Sequence, residues 1–181
     1  MASWITERDY RQANASGMGL GLNVAFIREI KEDNVEFREL LGQVEQKFRE
    51  LPVESEREND VWELHQMLSR LRDELETYFA LEEFYGGFRI GNSSASLGPV
   101  LDQGDLARQI ENLKRQHIDL YLQLDRVVES SAQVVYGECQ PNEVDSLIQP
   151  FSKFIDELKA HESYEMDVIM QQCNQDLGAG D

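Results

Sequence analysis

The chain has 181 residues, with 35 acidic against 17 basic side chains, a formal net charge of -18 and a pI near 4.5. That balance argues against a cationic surface for nucleic acid or for an anionic membrane, while 41% hydrophobic with 29% charged residues fits a folded domain better than an acidic tail. No apolar run approaches the roughly 18 residues that a membrane span needs, and MASWITERDYRQ carries no basic-then-apolar leader, so the expected setting is the cytoplasm.

Apolar residues recur at steps of three and four, which is helical spacing, and no stretch alternates long enough for a strand. After a loose arm over residues 1–21, the remainder, 22–181, reads as four long helices. The first opens near Asn23, carries the stripe Ile27, Ile30, Asn34, Phe37, Leu41, Val44 and Phe48, and stops near Glu50 before Pro52. The second spans about Asp60 to Phe84, with Leu64, Leu68, Leu71, Leu75, Tyr78 and Glu82 on one face. Gly86 and Gly87 end it, and a Gly- and Ser-rich connection follows to Gly104. The third spans about Asp105 to Gln133 with Leu106, Ile110, Leu113, His117, Leu120, Leu124 and Val128 on its stripe, flanked by Tyr121 and Val127. The fourth spans about Glu143 to Asp176, with Pro150 able to kink or restart it, and carries Phe154, Leu158, His161, Glu165, Val168 and Gln172. Four such helices predict an all-α chain folded as an antiparallel four-helix bundle.

Polar residues interrupt the apolar stripes at Asn34, Tyr78, Glu82, His117, His161 and Glu165. A polar group facing a core is costly unless it is paired or bound to a metal. Tyr78 with Glu82, and His161 with Glu165, are four apart and project from one face of their helices. At ~1.5 Å per residue, Asn34 and Tyr78 lie at matching distances from the turn between helices one and two, and His117 and His161 from the turn between three and four. The six therefore converge on one layer, whose two imidazoles and two carboxylates suit Fe, Zn or Mn. Singly, an inward His is more often a satisfied core residue and a Glu a solvated one; together they point to a site rather than to a particular ion.

At these residues the chain resembles the hemerythrin-like, His-His-Glu cation-binding family over about residues 22–181. AFIREIKEDNVEFRELL is similar to the family's opening helix, with Asn34 where the family has His. LETYFALEEFYGGF is similar to the His-Phe-x-x-Glu-Glu segment, with Tyr78 in place of His, Glu82 at the ligating position and Glu83 as the second, usually non-ligating acid. LKRQHIDLYLQL keeps His117, and FIDELKAHESYEMDVI keeps His161 and Glu165. The resemblance implies a hemerythrin-like bundle with metal ligands Glu82, His117, His161 and Glu165, and with Asn34, Tyr78 and Tyr121 at replaced or supporting positions.

The family builds a di-iron centre with bridging carboxylates and terminal His ligands. Here the terminal His of helices one and two are replaced, and Tyr121 stands where oxygen carriers have a second His on helix three. The resemblance thus implies a reduced site holding at most one ion tightly, iron by family, serving sensing or storage of iron, O2 or redox state. The competing expectation is a metal-free descendant acting as an interaction or structural module. An enzyme, such as a peroxide- or nitric-oxide-handling di-iron protein, is the weakest reading, since two metals are poorly supported; the chain also has no Glu-x-x-His and no phosphate-binding Gly-x-x-x-x-Gly-Lys. The metal ion is the one partner expected; sequence decides neither a protein partner nor an oligomeric state.

His65 lies about 100° off its helix's stripe and reads as a surface residue. Cys139 and Cys173 fall at opposite ends of helix four, ~40 Å apart by helical rise, beyond disulfide reach. Thiol titration of the denatured, unreduced chain is expected to find two free thiols; finding none would overturn the helix assignments.

Overall fold

A computed structural model of the chain describes residues 29, 34–50, 57–85, 103–137 and 145–178. Four helices account for nearly all of them: α1 (Val35–Glu50), α2 (Arg57–Tyr85), α3 (Gln103–Val135) and α4 (Asp145–Gly178). Among the described residues there is no strand, and no helix is long and apolar enough to cross a membrane. The arm over 1–21 and the expected opening near Asn23 lie outside the described residues, as does most of the connection after α2. The side chains of Gln172, Cys139 and Cys173 lie outside them too.

The helices pack as a four-helix bundle, with α1 on α2, α2 on α3 and α3 on α4. Cross-helix contacts fix the register. Between α2 and α3, His65 meets Ser131, Arg72 meets Asp125 and Glu83 meets His117, so partner numbers fall on α3 as they rise on α2. Between α3 and α4 the pairs are Gln109 with Gln171, Gln116 with His161 and Gln123 with Glu157. α1 reaches α4 through Arg38 with Glu162 and through Phe48 stacked on Phe151. At the far end of α1, Lys47 bridges Asp60 and Glu63 of α2, and these hydrogen bonds hold its ammonium above the usual lysine pKa.

Each helix buries the face its spacing predicts. On α2, Leu64, Leu68, Leu71, Leu75, Tyr78 and Glu82 are all buried; on α3, so is every stripe residue from Leu106 to Val128. α1 turns slightly from expectation: Leu40 rather than Leu41 is buried, because it shares the Phe37 and Val44 side of the helix at steps of three and four. α4 runs unbroken through Pro150, so of the kink or restart open to it the restart does not occur. The proline sits in the second turn, where one missing amide is tolerated while Leu147, Phe151, Phe154 and Ile155 are buried on either side of it. α3 begins earlier than expected, taking in Gly104, whose flexibility costs little in a first turn that lacks intrahelical amide partners anyway. It stops at Val135, and in the turn that follows Gly137 adopts φ 75° while its amide donates back to the Val134 carbonyl.

The described core falls into two apolar clusters. The larger joins all four helices, from Phe37 through Leu71 and Leu124 to Leu158. The smaller is Leu106, Ile110 and Leu113 of α3 with Val168 and Ile169 of α4. Glu82, His117, His161 and Glu165 are buried at the level between them.

Leu71 is fully buried in the larger cluster. Leu71→Ala is expected to lower stability by about 2–5 kcal/mol, read as a lower urea midpoint with an unchanged slope. A loss below about 1 kcal/mol would mean that this seam is not closely packed.

Candidate metal centre

α2, α3 and α4 each deliver one donor to a compact group. Glu82, His117 and His161 bring a carboxylate oxygen and two ring nitrogens to within 4.8 Å of one another, all buried. His117 Nε2 lies 3.5 Å from Glu82 Oε2. Donors bound to one ion at roughly 2.0–2.2 Å can lie at most about 4.4 Å apart, so small rotations would bring the three onto a single ion. The donor set fits a borderline transition metal.

The rings are packed as well as placed. His117 lies flat against Phe79, with centroids 4.0 Å apart and planes 8° from parallel. His161 meets the same phenyl edge-on at 5.7 Å, and the two imidazoles meet edge-to-face at 4.8 Å. Their outer nitrogens face polar atoms: His117 Nδ1 lies 2.9 Å from Glu83 Oε1, and His161 Nδ1 lies 2.8 Å from Gln116 Oε1. The His117 hydrogen bond holds the Glu83 carboxyl below the usual carboxylate pKa.

Glu165 is fully buried one turn beyond His161 on α4, outside the compact group. Tyr78 is buried one turn before Glu82, stacked on Phe37 at 5.5 Å. Burial first, then the charges of Glu82 and Glu165, raise its hydroxyl far above the usual tyrosine pKa. The phenol is therefore held protonated, which suits a hydrogen-bond donor and opposes a phenolate ligand.

Asn34 is not an interior member of the layer. It precedes Val35, and its Oδ1 accepts the Phe37 amide at 3.3 Å while its carbonyl accepts the Arg38 amide. It is the N-cap of α1, the role an Asn three residues ahead of an exposed amide fills best. Tyr121 is also outside the group: it is half-buried and lies in the field of Arg72, which is ion-paired to Asp125.

Sequence reasoning left Gln116 out altogether and gave Glu83 no part beyond that of a second acid. Each lies next to a candidate ligand on its helix, about 100° off the stripe, and so faces a neighbouring helix rather than the centre. That position was the available signal.

His65 is half-buried rather than on the surface. Its Nδ1 lies 2.9 Å from Oγ of the fully buried Ser131, and Ser131 Oγ donates to the Val128 carbonyl at 2.7 Å. Ser131 has a single hydroxyl hydrogen, so His65 Nδ1–H is the donor between them. Burial, then the charge of Arg72, lower the His65 pKa from its ordinary value near 6.5. A histidine depressed in the folded state favours folding above its unfolded pKa, and that contribution is lost as pH falls through the folded pKa. Lowering the pH from about 7.5 to 5 is therefore expected to reduce the urea midpoint of the wild-type chain more than that of His65→Gln. Equal losses would exclude His65 as a source of acid sensitivity.

Comparison with known proteins finds no family model, no curated protein and no solved structure that matches the chain.

Proposed function

We propose that the chain is a hemerythrin-like, antiparallel four-helix bundle that holds one transition-metal ion, iron by family resemblance, and serves in sensing or storage of iron, O2 or redox state. The falling partner numbers between α2 and α3, and between α3 and α4, support the antiparallel order. The observation that carries the metal reading is the buried group of Glu82, His117 and His161 within 4.8 Å. Glu165, buried one turn from His161, is the further carboxylate this reading adds to the set.

When bound, such an ion supplies a redox couple or a coordination position for a small molecule. The chain's own residues supply the rest. Glu82, and with it Glu165, would offset the positive charge inside a core where water cannot. Phe79 excludes solvent from the His117 face and fixes the ring's tilt. Tyr78, its hydroxyl held protonated by burial and by the charges of Glu82 and Glu165, adds no ligand. With Asn34 drawn away as a helix cap, the described part of α1 contributes packing through Phe37 and no donor, which favours one ion over two.

One observation favours a metal-free reading. His117 lies between two carboxylates, Glu82 at 3.5 Å and Glu83 at 2.9 Å. An imidazolium there would balance the buried charge without an ion, leaving a polar layer in a bundle that acts through its surface.

Metal analysis of protein purified without chelator or metal-affinity resin, followed by anaerobic reconstitution with ferrous iron, separates these readings. No more than one ion per chain is expected. His161→Ala is expected to abolish binding and Tyr78→Phe to change affinity less than about threefold, well under 1.4 kcal/mol. Asn34→Ala is expected to leave affinity unchanged while costing about 1 kcal/mol of stability through its lost cap. Two irons per chain would overturn the single-ion proposal, and none after reconstitution would favour the metal-free one.

A further inference from the structure

One turn of α2 surrounds His117 on three sides. Phe79 stacks on the ring at 4.0 Å, Glu82 Oε2 lies 3.5 Å from Nε2, and Glu83 Oε1 lies 2.9 Å from Nδ1. The residue before His117 reaches the other way: Gln116 Oε1 lies 2.8 Å from Nδ1 of His161 on α4. The two imidazoles are thus oriented through the same ring atom by acceptors of different charge, a carboxylate for His117 and an amide carbonyl for His161.

A carboxylate oxygen accepts and does not donate, so Nδ1 of His117 carries the hydrogen and, in the neutral ring, Nε2 keeps its lone pair. The neighbouring Glu82 and His161 then face a donor nitrogen rather than an N–H. The two contacts are nearly equal in length, 2.9 and 2.8 Å, but a charged acceptor makes the roughly twice stronger hydrogen bond, and it draws the Nδ1 hydrogen outward, which makes Nε2 the better lone-pair donor to a metal. Glu83 holds this position from the edge of the bundle, where its side chain is 39% exposed. Water solvates the rest of its charge there, so the carboxylate can stay ionised without the desolvation that a buried partner would impose.

We propose that Glu83 is the positioning residue of this centre: it fixes the Nδ1–H tautomer of His117 and makes that imidazole the stronger of the two nitrogen donors, with Gln116 holding His161 in the same tautomer more weakly. The donor ranking rests on the metal reading above; the tautomer assignment rests on a neutral His117 ring and not on a bound ion.

Two measurements on the same proteins test both parts. Long-range 15N–1H spectra of the metal-free chain at about pH 8, well above the ordinary histidine pKa, report which nitrogen of His117 is protonated, and Co2+ titration followed by visible absorption reports affinity. The wild type is expected to show the neutral Nδ1–H form. Glu83→Leu is expected to shift His117 toward Nε2–H and to weaken Co2+ binding about 10–100-fold, in the range for lost outer partners of metal-bound histidines. Glu83→Gln, which keeps a carbonyl acceptor and disturbs packing least, is expected to retain the tautomer and fall between the two in affinity. Gln116→Leu is expected to weaken Co2+ binding less than Glu83→Leu does. A wild-type His117 found as Nε2–H or as imidazolium would overturn the proposal, as would an unchanged tautomer in Glu83→Leu or a larger affinity loss in Gln116→Leu. A wild-type chain that binds no Co2+, yet loses the Nδ1–H form in Glu83→Leu, would overturn the metal reading while supporting the tautomer assignment.

Discussion

The structure is organised around the cost of taking carboxylates out of water. Glu82 and Glu165 are fully buried, and His117 and His161 nearly so. An ionised group moved to a protein interior loses several kcal/mol of solvation even after relaxation. That loss can be offset only by groups at the same level of the bundle. The register of α2 against α3, and of α3 against α4, therefore has to bring imidazoles to carboxylates. A slide of one turn would move each group by about 5.4 Å and set it against aliphatic or aromatic side chains. The apolar stripes make the bundle stable, and the polar layer selects one alignment among those the stripes alone would permit.

The same layer explains the neighbouring side chains. Phe79 serves two rings at once, flat against one and edge-on to the other, so a single aromatic residue relates the orientation of α3 to that of α4. Glu83 and Gln116 act one step out from the centre, each adjacent in sequence to a residue that acts within it. Successive residues of a helix point about 100° apart, so Glu82 faces the interior while Glu83 meets His117 from the side. A doubled acid on one helix thus has two different jobs.

Much of this was legible in the amino-acid sequence because burial follows spacing. The stripe Leu64, Leu68, Leu71, Leu75, Tyr78, Glu82 is a statement about one helix face, and the polar residues on it are inward by the same rule that makes the leucines inward. His117, His161 and Glu165 were readable in the same way. Asn34 was not, because a residue on the extrapolated stripe of a helix and a residue capping that helix look alike until the first turn is located; its amide-accepting side chain decides for the cap. His65 was misjudged for a different reason. A residue 100° off the stripe faces the seam with a neighbouring helix as readily as it faces water, and only the register of α3 places Ser131 opposite it. Periodicity reports the centre of a bundle well and its seams poorly, and Glu83 and Gln116 are seam residues too.

The polar layer also bears on the kinetics of access. Glu82, His117, His161 and Glu165 are each no more than 3% exposed, so no ion or small molecule reaches them without motion of the chain. On one side lies the large cluster shared by four helices. On the other lie five described apolar residues, contributed by the start of α3 and the last third of α4. Free energies of local opening scale with the apolar contact that must be broken, so the packing on the two sides of the layer sets how often the interior opens. Entry and exit would then be set by the opening frequency of the bundle rather than by diffusion to a surface pocket. Substitutions at Ile110 or Val168, which touch no candidate ligand position, would change how fast the interior exchanges with solvent while leaving what it can hold unchanged.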